Sequence, residues 1–207
     1  MHYDLKIING TIIDGTGNTA YAGDVAVQDG TIVGMGNIGA DAEKTINAQG
    51  KIVCPGFVDI HTHYDAQLLW DSNLSISPWH GVTTVVIGNC GFGIAPTRPS
   101  RRDLILRTLE KVEGMSLEAL RSGLGSDWGF ESFPEYLDLI ERKGTAINVG
   151  VLLGHTPIRL EVMGEDAVLR EANVDEVLAM SDIIREGMDA GALGFATSHA
   201  PTHHGYD

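Results

Sequence analysis

The sequence predicts an α/β protein: a small β module followed by a parallel sheet built of strand–helix units. Three observations predict it. Asn-Gly and Asp-Gly pairs punctuate isoleucine- and valine-rich runs ahead of Pro55. After Pro55-Gly56 the pattern changes to short apolar runs alternating with amphipathic helical stretches, which is the signature of strands joined by helices. Side chains that bind metals gather just after those apolar runs, at the strand ends where parallel α/β folds place their chemistry.

The first element block, residues 1–54, contains "DLKIINGTIID" and "DVAVQDGTIVGMG". Asn9-Gly10 and Asp29-Gly30 each sit between strand-forming runs. Both pairs tolerate positive φ, so each predicts a two-residue hairpin and the block reads as antiparallel. Cys54, in "KIVCPG", reads as a packing residue. Residues 55–207 form the second block. Its predicted strands are "FVDIHTH" (57–63), "TTVVIGN" (83–89), "INVGVLLGH" (147–155) and "ALGFATS" (192–198).

Helices are predicted between them. "SRRDLILRTLEKVEG" places Leu104, Ile105, Leu109 and Val112 at helical spacing and stops at Gly114. "FPEYLDLIERKG" has proline in its first turn and ends at Gly144. "NVDEVLAMSDIIREGMDAG" opens with Asn173 and Glu176, a capping-box pair, and closes at Gly191. Four strand–helix units make half of an eight-stranded barrel. The chain closes on "TSHAPTHHGYD", and the expectation is of a chain cut rather than finished.

Composition narrows the function classes. The 207 residues are 43% hydrophobic and 20% charged, enough apolar content for a packed core. A formal net charge of -14 argues against nucleic acid or an anionic membrane as partner. The two cysteines, Cys54 and Cys90, are too few for a disulfide framework and fit a reducing cytoplasm. "MHYDLKIING" lacks the basic and apolar segments of a signal peptide, and no apolar run approaches the ~20 residues of a membrane helix.

The candidate site collects at strand ends. His61 and His63 close the first predicted strand, with Asp59 and Asp65 flanking them. Period-two alternation would put the four on one face if the strand runs that far. Cys90 follows the second strand, His155 ends the third, and Ser198 ends the fourth, with His199, His203 and His204 beyond. Imidazole and thiolate together favour zinc over magnesium or calcium. Each residue also has a plainer reading. A His-x-His pair alone is a weak pattern, a single buried cysteine is as readily a small hydrophobe, His155 can serve to bond a loop, and His203-His204 suit a solvated loop.

"PGFVDIHTHYD" resembles the first-strand signature of the amidohydrolase superfamily, and "GVTTVVIGNCGFGIAP" (81–96) is similar to its N-acyl-D-amino-acid deacylase branch, the D-aminoacylases and amidohydrolase type 3 proteins. "NVGVLLGHTPIR" and "GALGFATS" extend the resemblance over the whole chain. It implies the first half of a TIM-like (β/α)8 metal-dependent hydrolase barrel, preceded by part of a small β-sandwich. It implies His61, His63 and Cys90 as ligands of one or two Zn2+ ions. Asp59, Asp65, His155 and Ser198 remain candidates for supporting the ligands or facing the substrate: Asp59 to orient a histidine, Asp65 to line the mouth.

The implied reaction is metal-assisted hydrolysis of a linear amide, the deacylation of a small N-acyl-D-amino acid. The family's general-base aspartate and its further ligands belong to later strands that this chain does not contain. Two alternatives stand beside it. One is a cyclic-amide hydrolase of the hydantoinase or dihydroorotase kind; those enzymes bridge their metals with a fourth-strand lysine, and here no lysine follows Lys143. The other is an inactive metal-binding fragment, if the chain truly ends at Asp207. "GSDWGFESF" (125–133) reads equally as a loop over the site or a packed Ω-loop.

Overall fold

The structure, a computed structural model, describes residues 2–199. It divides into two compact units, Met1–Gly56 and Phe57–Asp207.

The first unit is one sheet of β1 (Tyr3–Ile12), β2 (Tyr21–Gln28), β3 (Thr31–Gly36), β4 (Ala42–Asn47) and β5 (Ile52–Val53). The order is β3-β2-β1-β4, and β5 also pairs with β1. Asp29 (φ 50) and Gly30 (φ 71) turn the β2–β3 hairpin, both left-handed as a two-residue turn of this kind requires. Asn9-Gly10 does not make the hairpin its sequence predicts. β1 runs through it, and the register against β2 slips between Ile7 and Gly10.

The pair forms a bulge instead. Asn9 takes φ 60, its N–H donates to Asp24 Oδ1 at 3.0 Å, and its amide donates to Asn47 Oδ1 at 3.2 Å. A left-handed residue followed by glycine serves a bulge as well as a turn, so the local signal does not distinguish them. The sheet is also mixed rather than antiparallel, because β4 and β5 both run parallel to β1. Ile12, Val25, Ala26 and Ala48 are its buried apolar residues. Cys54 is exposed, contrary to the packing role expected of it.

The second unit holds four parallel strands in sequential order: β6 (Phe57–Asp59), β7 (Val82–Ile87), β8 (Asn148–Gly154) and β9 (Gly194–Ala196). The helices are α1 (Arg102–Glu113), α2 (Leu117–Leu124), α3 (Phe133–Lys143), α4 (His155–Met163) and α5 (Val174–Asp189). Ser132 with Glu135 caps α3, and Asn173 with Glu176 caps α5, each as a reciprocal capping box.

Two helices escape the sequence reading. α2 is short and capped by Ser116, whose side chain accepts from Ala119 N–H. α4 begins directly where β8 ends, so the apolar run of the strand flows into it without a break. His155 is therefore the first residue of a helix rather than the last of a strand.

The core lies between the sheet and its helices. Val85 and Ile87 on β7, and Val151 and Leu153 on β8, are buried at period two. They pack with Ile105, Leu109, Leu120, Ile158 and Leu160 from the helices. Each such side chain contributes about 1.5–3 kcal/mol of burial free energy. The 125–133 segment is a packed loop. Trp128 and Phe130 are buried, Phe130 lies 4.9 Å from the Tyr136 ring, and the Arg102 guanidinium sits 5.2 Å from the Trp128 ring. Arg102 also donates to the carbonyls of Ser126 and Phe130. Among the described residues, no helix is long and apolar enough to cross a membrane.

Candidate metal centre

The site is built on the segments that follow β6 and β7. β6 ends at Asp59, shorter than its apolar run predicts, so His61 and His63 lie past the strand and strand alternation does not orient them. The Asp59 carboxylate accepts the His61 N–H at 3.1 Å and turns the chain off the ladder. Thr62 then reattaches it. Its N–H and its hydroxyl both donate to the Val86 carbonyl, at 3.1 and 2.8 Å.

β7 runs to Ile87 and breaks at Gly88-Asn89-Cys90-Gly91. Gly88 is left-handed at φ 80, and a Cβ there would stand 2.1 Å from the Leu152 carbonyl oxygen. Only glycine fits that approach to β8. The Asn89 amide donates to the Val86 carbonyl at 2.8 Å and to the Thr62 carbonyl at 3.3 Å. It thereby ties the cysteine segment to the histidine segment. Cys90 adopts φ 57, ψ 9, a left-handed conformation uncommon for a residue with a Cβ. Composition and spacing did not point to Asn89 or Thr62; their only sequence signal is adjacency to the ligand candidates.

Among the described residues, one group of metal-capable donors converges: His61, His63 and Cys90, with donor atoms within 4.8 Å of one another. His61 Nε2 lies 3.2 Å from Cys90 Sγ, and the two imidazole rings are 5.4 Å apart. Zinc bonds of about 2.0–2.1 Å to nitrogen and 2.3 Å to sulfur give a tetrahedral N···S edge of about 3.5 Å. The donor set and its spacing fit zinc. His61 is exposed, while His63 and Cys90 are half-buried, so the cluster is reachable from solvent.

The other candidates surround this group without joining it. Asp59 holds the His61 backbone rather than its ring. Asp65 is buried, 4% exposed, and does not line a mouth. Its backbone carbonyl accepts the Tyr136 hydroxyl at 2.8 Å. Burial, and then the Asp65 charge, hold the Tyr136 phenol well above its usual range. His155 places Nδ1 3.2 Å from Thr197 Oγ1 and sets its ring edge-on to Phe195. Burial lowers its pKa, and the neighbouring Arg159 and His199 charges lower it further, so the imidazole is biased to its neutral form. The Ser198 hydroxyl donates to the Cys90 carbonyl at 2.8 Å. His203 and His204 lie outside the described residues.

A parallel strand–helix sheet with a nitrogen and sulfur donor cluster beyond its first two strands defines a class, the β/α scaffolds able to hold a metal at their strand ends. The chain belongs to the amidohydrolase family, whose model matches residues 44–206. It is 33% identical over 196 residues to the D-aminoacylase of Alcaligenes xylosoxydans xylosoxydans, covering 94% of this chain and 37% of that protein. It is 36% identical over 195 residues to the N-acyl-D-aspartate deacylase of the same organism, covering 94% and 36%.

Among solved structures, the fold matches the N-acyl-D-glutamate deacylase of Bordetella bronchiseptica, complexed with zinc and a phosphonate mimic of the tetrahedral intermediate. That match has a TM-score of 0.79 at 34% identity and covers 95% of this chain and 38% of the other. The fold is accordingly a β-sandwich-like sheet followed by the first half of a TIM-like (β/α) barrel. The chain spans well under half the length of these relatives.

Proposed function

We propose that this chain forms part of a zinc-dependent deacylase that hydrolyses the linear amide of N-acyl-D-amino acids. The observation that carries the proposal is the convergence of His61, His63 and Cys90 within 4.8 Å, in a chain whose relatives are D-aminoacylases and deacylases of acidic D-amino acids. These three residues would hold one or two zinc ions.

Bound zinc supplies Lewis acidity towards the scissile carbonyl and lowers the pKa of water to roughly 7. The chain's own residues supply position. The left-handed backbone of Cys90 sets Sγ against His61 Nε2. Asp59 and Thr62 fix the peptides on either side of His61. His155, biased to the neutral form, offers a polar ring without a competing positive charge. The proton transfer to the leaving amine is assigned to none of the described residues. The absence of a lysine after Lys143 supports a deacylase over a cyclic-amide hydrolase bridged by a carboxylated lysine. A reducing cytoplasm suits a centre that depends on a free Cys90 thiolate.

The test is turnover by the natural gene product. N-acetyl-D-amino acids should be cleaved and their L-enantiomers spared. Chelation should abolish the activity, zinc should restore it, and Cys90→Ala should remain inactive. Undiminished turnover after chelation, or a preference for hydantoin or dihydroorotate, would contradict the reading.

A further inference from the structure

We propose that Ser198 is a positioning residue for the metal ligand Cys90, acting through the Cys90 carbonyl from the end of β9. The inference rests on the reading of Cys90 as a ligand. It starts from the backbone of Cys90, which stands at φ 57, ψ 9. A side-chain-bearing residue holds such a conformation only where its surroundings over-determine it.

Three restraints meet there. On the N-terminal side, the Asn89 amide is fixed to the carbonyls of Val86 and Thr62. On the C-terminal side, Gly91 lies so close to β9 that a Cβ would stand 3.0 Å from Thr197 Cα and 3.1 Å from the Ala196 oxygen. Between them, the Ser198 hydroxyl donates to the Cys90 carbonyl at 2.8 Å. The first two restraints act on the neighbours of Cys90. The third acts on the Cys90 carbonyl itself.

That bond fixes the direction of the Cys90 carbonyl. The carbonyl direction follows the ψ of Cys90, and holding that peptide holds the Cα from which the side chain carries Sγ towards His61. Without the Ser198 donor, the Cys90 peptide loses its tie to the segment after β9, and its carbonyl can tilt within the loop. Sγ would then leave its 3.2 Å approach to His61 Nε2. Ser198 is separated from Cys90 by 108 positions in sequence, so the last strand described here sets the geometry of the ligand after the second. Groups that orient a ligand in this indirect way are typically worth about 10–100-fold in metal affinity.

The experiment uses cobalt as the probe in the natural gene product, read by chelator competition and by the thiolate-to-cobalt charge-transfer band. Ser198→Ala should weaken cobalt binding by about ten-fold or more and diminish or shift the band. Ser198→Thr should restore both. Ser198→Val, which has the shape of threonine without the hydroxyl, should behave as alanine, separating the hydrogen bond from packing should one variant fold poorly. Wild-type affinity and an unchanged band in both Ser198→Ala and Ser198→Val overturn the positioning role while leaving the metal site intact. If wild type itself has no band that Cys90→Ser removes, the metal reading fails, and the inference with it.

Discussion

The two segments that carry the candidate ligands are held in different ways. The histidine segment leaves β6 after Asp59 and is pinned by side-chain hydrogen bonds, the His61 N–H donating to the Asp59 carboxylate and the Thr62 hydroxyl to the Val86 carbonyl. The cysteine segment leaves β7 through close backbone approaches, Gly88 against Leu152 and Gly91 against Thr197. It places Cys90 in a left-handed conformation. One segment follows β6, at the end of the described sheet order, and is held by hydrogen bonds; the other follows β7 and is held by close backbone approaches to β8 and β9. Side-chain hydrogen bonds place the imidazoles, and tight backbone packing places the thiolate. The Val86 carbonyl joins the two, accepting from Thr62 twice and from Asn89 once.

Substitutions sharpen that contrast, and the largest effect belongs to the wedged segment. Gly88→Ala puts a methyl where the Leu152 oxygen already is, at a φ that disfavours it. The expected destabilisation is on the order of 4 kcal/mol or more, measured by denaturant unfolding. A change below about 1 kcal/mol would show that the segment is not wedged.

Cys90→Ala should separate metal binding from stability. Zinc affinity should fall by more than about 100-fold, exceeding what loss of a supporting partner costs, while unfolding of the metal-free protein changes little. A competition titration against a chelator measures the first quantity, and thermal unfolding the second.

Thr62→Val and Asn89→Ala test the link between the segments. Each should cost about 1–2 kcal/mol. The double variant should depart from additivity, because both side chains bond the same Val86 carbonyl. Additive losses would mean that the two segments are anchored independently.

The smallest effect is expected far from both segments. Arg170 bonds the Glu176 carboxylate, and the Asn173 peptide adds to it. Together they lower its pKa from the ordinary 4.5 to about 2. A depressed carboxylate contributes stability that is present above pH 4.5 and is lost as pH falls towards 2. Glu176→Gln should therefore flatten the stability–pH curve slightly across that window and leave metal affinity at neutral pH unchanged. A change in metal affinity would break the separation between α5 and the site.

The two segments were unequally legible in the sequence. His61, His63 and Cys90 could be singled out because they lie in the two stretches that resemble the amidohydrolase motifs, while their spacing alone left plainer readings open. The β/α alternation was equally plain, since period two and period 3.6 are written directly in the apolar residues. What could not be read was set by contacts distant in sequence. Nothing local tells Asn9-Gly10 to bulge rather than turn; β5 running beside it does, with Val53 only 2.5 Å from where a Gly10 Cβ would be. The early end of β6 likewise depends on the Asp59 carboxylate capturing the His61 N–H. The work of Thr62, Asn89 and Ser198 lies in bonds to backbone carbonyls, which no residue pattern announces.

Cys90 and the two histidines are proposed to bind zinc together, in one coordination shell. X-ray absorption at the zinc edge of the zinc-loaded natural gene product tests it most directly. One sulfur scatterer at about 2.3 Å with nitrogen at about 2.0–2.1 Å is expected, the sulfur disappearing in Cys90→Ser. A zinc shell of nitrogen and oxygen alone in the wild-type protein would contradict it.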